Sequence, residues 1–513
     1  MHRTPSLCAA VAPLVALGVL GACAGGSKPP NVVLIVVDTL RSDRLGCYGY
    51  PRPTSPAIDA LANEGVVFEE CVAQAPWTLQ SMPSLLAGRY LTQNRNWPDR
   101  RHVLLAEHFK RAGYATIGAS ANELLSSDME FARGYDEYDS STLPGRVDKP
   151  CDVLVRDLLP KLDALRERKR DKPVFLFLQP FDPHFPFLEH HEFDAELPTD
   201  ETEPVLPEGW QAEEIAQRGA PAPATDPGWA SELVGLRHQR GLYDQEVRFA
   251  DEAIGMFLDE LRARGLLEDT VVAIVSDHGE GLWEHVNKAG AGRLATLPPN
   301  GFFFAGHAHH VYEEAIRTPF VLWGRGVPKG ERFAAPVENV DLFPTLCALA
   351  GIAPPSKPGS GATLDGRDLT RLFGGPKQGP PDWREHTFAF MPHVAMVRER
   401  SSGLKLILST CSYRAPEEGV TSALFDLAAD PHERVDLRES RPSDAARLAR
   451  VLQAAIDAHP TEHTWNQPKP PRIQERLTEG YTGVADNEEP LAHGDEDPKA
   501  KRPPPDPRVI CDG

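Results

Sequence analysis

No block of lysines and arginines offsets the acidic surplus of this chain. Its 54 Lys and Arg face 74 Asp and Glu, a formal net charge of −20. That balance argues against a nucleic-acid partner. Cysteine is sparse, eight in 513 residues, with no CxxC pair and no zinc-ribbon spacing. In an oxidising compartment one or two disulfides could form, but the sequence assigns no pairing. Internal repeats are absent. Long hydrophobic runs are also lacking: the apolar stretch Leu7–Leu20 is too short to span a bilayer comfortably as a mature helix. The apolar fraction of 41% and charged fraction of 25% are ordinary for a globular protein. The length accommodates one large α/β domain and a smaller one.

The apolar stretch follows a short basic start, Met1-His-Arg3, and ends in Leu20-Gly21-Ala22-Cys23. This resembles a bacterial lipoprotein signal with its lipobox. The resemblance implies removal of residues 1–22, lipidation of Cys23 as a membrane anchor, and a tether over 23–30. It also implies an exported protein of the cell envelope, at the periplasmic or outer-membrane face. A plain secretory signal cut near Ala22 gives the same export.

Asn31–Val37 is a continuous apolar, β-branched run, the pattern of a strand buried on both faces of a sheet, and it ends in Asp38-Thr39. A helix is expected next, capped by Ser55, with Pro56 in its first turn and Gly65 as its stop. In Ala75–Tyr90 the second half reads as a helix ended by Gly88, with Thr78 and Ser81 at or just before its first turn. There either hydroxyl serves as an N-cap, or is held as an alkoxide facing an anion. Residues 104–117 predict a helix and a short strand leading to Asn122. Val174–Leu178 predicts a second buried strand, running into Asp182-Pro183-His184. Residues 188–232, rich in Glu, Pro and Ala, read as a surface excursion. A long amphipathic helix is expected over Tyr243–Leu261. Thr270–Val275 is a third buried strand, delivering Asp277 and His278. A Gly- and Ala-containing stretch (284–306) leads to His307, His309 and His310, and Pro319–Trp323 is one more strand. The alternation argues for a doubly wound α/β sheet flanked by helices, over a domain spanning 31–375. Alternating segments within 388–427 predict a small antiparallel sheet in a subdomain spanning 385–465. The tail 466–513, Pro-rich and charged, is expected to be extended or disordered.

Asp38, Asp277 and His278 each lie just past the carboxyl end of a buried strand, where open α/β sheets bind ligands. Asp182 and His184 lie a few residues past another. Two carboxylates and an imidazole brought together there make a divalent-metal site of mixed O/N character.

At this point the motifs become specific. They comprise Asn31–Gly49, Thr78–Arg89, Asp182-Pro183-His184-Phe-Pro186, Ser276–Glu280, Tyr312-Glu-Glu with Arg317-Thr-Pro319, Asp341–Thr345, Asp365-Gly-Arg367, Leu424–Leu427 with Asp430–Glu433, and Leu477–Tyr481. Over roughly residues 30–481 the chain resembles the sulfatase-like branch of the alkaline phosphatase superfamily. One departure matters. True sulfatases carry Cys or Ser in a Cys-x-Pro-Ser-Arg segment, and that residue becomes formylglycine. Here the aligned segment is Thr78-Leu-Gln-Ser-Met82, and Thr cannot be converted.

Thr at this position resembles the phosphorus-handling relatives. The resemblance implies a metal-activated Thr78 attacking a sulfate or phosphate ester in line, with a covalent intermediate. Asp38, Asp277, His278 and Thr78 would hold a divalent ion (Ca, Mn or Zn), with Thr39 as a further contact. His184 and His307 would contact the anion or protonate the leaving group, and His309 and His310 compete with His307 for that place. Asn122 would line the pocket. Asp182 and His184, with the histidine cluster, could supply a second metal, although one is the simpler reading. Arg41 and Lys288 read as solvated. Two other readings stand beside the hydrolase: an envelope phospho-head-group transferase, and a non-catalytic lipoprotein that keeps the fold.

Overall fold

The computed structural model describes residues 28–90, 98, 100, 102–142, 148–199, 227–286, 303–308, 310–355, 364–391, 394–409 and 421–459. The signal segment with Cys23, Lys288, His309 and the tail 466–513 lie outside them. The strands are β1 (Asn31–Val37), β2 (Val66–Phe68), β3 (Cys71–Val72), β4 (Ala115–Ser120), β5 (Glu137–Asp139), β6 (Val174–Gln179), β7 (Thr270–Ser276), β8 (Gly281–Val286), β9 (Phe303–Gly306), β10 (Arg317–Thr318), β11 (Phe320–Gly324), β12 (Glu331–Phe333), β13 (Val337–Glu338), β14 (His386–Phe390), β15 (Val394–Glu399), β16 (Leu404–Ser409) and β17 (Thr421–Asp426). The helices are α1 (Pro56–Asn63), α2 (Thr78–Ala87), α3 (Leu105–Arg111), α4 (Cys151–Arg168), α5 (Pro227–Ala263), α6 (Glu313–Ile316), α7 (Leu342–Ala350) and α8 (Pro442–Ala458).

The main sheet has eight strands in the order β12-β2-β11-β7-β1-β6-β4-β5. β11 pairs antiparallel with both its neighbours, while every other pairing in the sheet is parallel. The sheet is therefore doubly wound and mixed, as expected. Why β1 is apolar from Val32 to Val37 is visible in its pleat. Val33, Ile35 and Val37 enter one core with Leu154, Leu158, Ile254 and Phe257 of α4 and α5. Val32, Leu34 and Val36 enter the opposite core with Leu85, Phe109, Phe343 and Leu346 of α2, α3 and α7. Successive side chains point to opposite faces, so a strand sandwiched between helices has no polar side. Each such side chain contributes roughly 1.5–3 kcal/mol by its burial.

β14 to β17 form the expected antiparallel sheet in sequence order. One face packs against Val311, Ala315 and Ile316, the other against Leu448 and Leu452 of α8. Lys405, fully buried, ties this sheet to the main body through Glu313 (2.9 Å) and to Glu433 (2.8 Å). Among the described residues no helix is long and apolar enough to cross a membrane.

Several local expectations change. α1 is not capped by the Ser55 side chain. Asp251 of α5 accepts hydrogen bonds from the Ala57 and Ile58 amides at 2.9 and 2.8 Å, so the free helix end is satisfied across the fold. α5 begins at Pro227, well before Tyr243, so the end of the presumed excursion is helical. The edges of the 284–306 stretch belong to β8 and β9, which pair as a hairpin. Cys47, Cys71, Cys151 and Cys347 are free thiols.

Candidate active site

Four neighbouring strands, β7, β1, β6 and β4, present their carboxyl ends side by side. Asp38 follows β1, Asp277 follows β7, Gln179 closes β6, and Asn122 lies just beyond β4. All four side chains are buried. α2 brings Thr78 in as its first residue, with Trp77 at the N-cap position making no side-chain cap. Gly88 ends the helix at φ +63°, and a Cβ there would meet Phe343 Cβ at 2.9 Å, so both the left-handed turn and the close packing require glycine.

Thr78 Oγ1 is 3.1 Å from His278 Nε2 and 3.5 Å from Asp38 Oδ1. It caps nothing. Ser81, the other hydroxyl of this turn, donates to the Asp277 carbonyl, a carbonyl also approached by Asn339 Nδ2 at 3.4 Å. Ser81 is thus a brace beneath the site. Among the described residues one group has metal-ligating atoms close together: Asp38, Asp277 and His278, all within 4.8 Å of one another and all buried.

These residues fit a cation. Burial pushes the Asp38 carboxyl up despite the opposing His184 ring and the Asn122 amide. Burial and the neighbouring Asp38 push Asp277 up further. Two carboxylates buried this closely are costly unless a positive charge joins them. Asp277 Oδ2 and Thr39 Oγ1 have no hydrogen-bond partner, and His278 Nε2 lies 3.4 Å from Asp277 Oδ2. His278 is held neutral by burial and by the neighbouring His307. Its Nδ1–H points to the Gly279 carbonyl at 2.9 Å, which leaves the Nε2 lone pair for a ligand.

His184 and His307 stand over this group. The ring centroids are 4.5 Å apart for His278 and His307 and 4.9 Å for His184 and His307. His184 Nδ1 faces the Phe185 carbonyl. His307 Nδ1 faces Glu280 Oε1 and Oε2 at 3.2 and 3.3 Å, and Ala308 N, donating to the Pro76 carbonyl at 2.7 Å, ties its loop to the start of α2. Burial lowers His184.

Of the other residues singled out in the sequence, Thr39 sits beside Asp38 at φ +52°, a strained conformation for a β-branched residue. The Tyr243 hydroxyl holds it there, donating to the Thr39 carbonyl at 2.8 Å. Asn122 donates to Asp38 Oδ2 at 2.7 Å, acting on a carboxylate rather than simply lining the pocket. Asp182 is elsewhere: its Oδ2 accepts from Cys151 N at 2.9 Å, at the start of α4. His310 is buried beside Gly281 and 4.0 Å from Glu314 Oε1. Thus, among the described residues, His307 rather than His310 joins His184 and His278, and Asp182 and His310 do not complete a second metal group there. Arg41 is not solvated. Its guanidinium is buried between Asp43 and Glu284 at 2.6 and 2.5 Å and donates to the Glu280 carbonyl at 2.9 Å.

Two participants were not singled out in the sequence. Gln179 donates to Asp38 Oδ2 at 2.9 Å, and Glu280 holds His307. A polar residue ending an otherwise apolar buried strand was the available signal for Gln179. For Glu280 no spacing connects it to His307.

A hydroxyl at a helix start stands beside two buried carboxylates and an imidazole at the carboxyl edge of a mixed α/β sheet, and the family to which the chain belongs makes it a hydrolase that acts on ester bonds. Comparison with known proteins gives the family. Residues 30–352 match the Sulfatase family model, and the chain belongs to that family, within the alkaline phosphatase superfamily. It is 29% identical to N-acetylgalactosamine-6-sulfatase of Canis lupus familiaris over 383 residues, 68% of this chain and 67% of the relative. It is 26% identical to steryl-sulfatase of Rattus norvegicus over 534 residues, 85% and 90% of the two chains. Its fold is similar to the phosphonate monoester hydrolase of Agrobacterium radiobacter, with a TM-score of 0.62 at 19% identity, covering 84% of this chain and 96% of that one. A protein solved with its substrate D-glucosamine-2-N,6-O-disulfate has a TM-score of 0.61 at 19% identity, covering 86% and 99%.

Proposed function

We propose that this protein is a metal-dependent hydrolase of anionic esters in which Thr78 is the nucleophile, and that phosphorus esters are its better substrates. The observation that carries this reading is the Thr78 hydroxyl standing against His278 Nε2 and Asp38 Oδ1. A divalent ion held by Asp38, Asp277 and His278 would supply positive charge that lowers the hydroxyl pKa and draws in the anionic ester.

The chain's own residues account for the rest. Thr78 Oγ, its proton released to solvent, attacks phosphorus in line, forming the Oγ–P bond as the bond to the leaving oxygen breaks. His184 or His307 delivers a proton to that oxygen. Glu280 accepts the His307 Nδ1–H and so fixes the ring for this task. A water then attacks phosphorus and the Oγ–P bond breaks, one water proton restoring the Thr78 hydroxyl and the other restoring the histidine that protonated the leaving oxygen. Thr lacks the second hydroxyl of a hydrated formylglycine, so a sulfated Thr has no route to expel sulfate by C–O cleavage. Phosphorus accepts a second in-line attack, which is why we favour phosphorus over sulfur.

The lipobox-like Leu20–Cys23 supports export and anchoring through a lipidated Cys23, with 31–375 as the catalytic domain and 385–465 as the antiparallel subdomain. Matched aryl sulfate, phosphate monoester, phosphodiester and phosphonate monoester test the function. Turnover of a phosphorus ester that disappears in Thr78→Ala supports it. Sulfate turnover surviving Thr78→Ala contradicts it.

A further inference from the structure

We propose that the amino edge of the main sheet docks on anionic phospholipid headgroups through the basic run Arg166–Lys172, so that the Thr78 centre faces away from the bilayer and takes its esters from the aqueous side. This rests on the reading of Cys23 as a lipid anchor. The first described residues are pinned to that edge. The Lys28 carbonyl accepts from Arg325 Nη1 at 2.7 Å, the Pro30 carbonyl from the Tyr114 hydroxyl at 3.0 Å, and Asn31 Oδ1 from Val174 N at 2.9 Å. Tyr114 immediately precedes β4, and Val174 opens β6. Lys28 is five residues from Cys23, and five residues of fully extended chain reach about 18 Å at most. A lipid on Cys23 therefore holds this edge close to the headgroups. Asp38 and Asp277 lie at the opposite, carboxyl edge, and the seven residues of β1 put about 23 Å between the two.

The charge at the anchored edge runs against that of the whole chain. A net charge of −20 is repelled by an anionic bilayer, whereas a basic segment beside the membrane is drawn to it. The last turn of α4 and its link to β6 read Arg166-Glu-Arg-Lys-Arg-Asp-Lys172, five cations against two carboxylates. Lys110 and Arg111 end α3 at the same edge. Part of this charge is used locally: Lys110 and Lys169 reach Asp136 at 3.0 and 2.6 Å, and Arg168 pairs with Glu137. Arg170 and Lys172 are exposed and Arg166 is half-buried. Among the described residues none of these three has an ion-pair partner. Three uncommitted cations on long side chains, next to the anchor, suit a layer of phosphate headgroups.

The test uses the full chain as cells process it, with acylation of Cys23 read by mass spectrometry. The protein is inserted into vesicles of phosphatidylglycerol with phosphatidylethanolamine, or of phosphatidylcholine alone. Amide hydrogen exchange over 164–173 should slow on the anionic vesicles only, and added salt should abolish the difference. Each cation near an anionic surface is worth about fivefold in docking. Arg166→Gln, Arg170→Gln and Lys172→Gln combined should therefore lower the docking constant about a hundredfold and remove the protection, with turnover of a soluble aryl ester unchanged. Protection over 181–193, beside His184, in place of 164–173, or release of lipid headgroups by the anchored protein, overturns the orientation. Acylated Cys23 without protection of 164–173 overturns the docking surface while leaving the anchor standing. An unmodified Cys23 overturns the anchor reading itself, and the docking with it.

Discussion

Thr78 Oγ1 lies 3.1 Å from His278 Nε2, although the two residues are 200 positions apart in the chain. The first opens α2 and the second follows β7. Because His278 Nδ1 is committed to the Gly279 carbonyl, its Nε2 lone pair faces the hydroxyl. Thr78→Ala should therefore lower turnover by about a thousandfold or more without unfolding the protein. Thr78→Ser, which keeps the hydroxyl, should retain measurable activity. Steady-state rates of the two variants check this, and equal loss in both would count against a nucleophilic role.

Chelation should lower thermal stability as well as activity, since an ion that binds only the folded state stabilises it. At a concentration 100 times its Kd the gain is about 2.7 kcal/mol. In Asp277→Asn that gain should vanish, while the metal-free variant should be at least as stable as the metal-free parent, because one of two buried like charges is gone. Unfolding curves with and without chelator read both effects.

Glu280 should matter most when the leaving group is poor. Its carboxylate sits on His307 Nδ1, so Glu280→Ala leaves the ring unfixed. An ester whose leaving oxygen needs a proton should slow by about 10²-fold or more, and one with an acidic phenol should slow much less. A uniform loss across leaving groups would mean that Glu280 merely supports the fold.

His285 predicts a pH dependence away from the site. Its Nδ1 lies 2.7 Å from Glu314 Oε1 and its Nε2 lies 3.0 Å from the His432 carbonyl. Two acceptors require two N–H donors, hence the imidazolium. Burial opposes that charge, but Glu314 outweighs it and raises His285 to about 8. A folded pKa above the unfolded value of about 6.5 stabilises fully below about pH 6.5 and is lost as pH rises through 8, a change of about 2 kcal/mol. Denaturant unfolding at pH 6.5 and pH 9 should show the drop, and His285→Gln should flatten it.

Much of the site was legible because each candidate ligand sits where a buried strand ends. β1, β6 and β7 announce themselves as apolar runs, and Asp38, Asp277 and His278 follow two of them directly. What stayed hidden depends on contacts between distant segments. Asp182 looked equivalent to the ligands, yet the start of α4 claims its carboxylate, and no local pattern reveals that. His307 and His310 are indistinguishable by spacing; the β8–β9 hairpin sends one to the centre and leaves the other beside Gly281. Arg41 reads as a surface cation because its partners Glu280 and Glu284 come from the segment that follows β7, 239 and 243 positions further along the chain. Asp251 caps α1 from another helix, which local sequence cannot show.

The most direct measurement is acid quenching during turnover of an aryl phosphodiester or phosphonate monoester, followed by mass spectrometry of the peptide containing Thr78 and Ser81. The account predicts a phosphoryl or phosphonyl group on Thr78, absent in Thr78→Ala. The same group on Ser81, or undiminished turnover in Thr78→Ala, would contradict it.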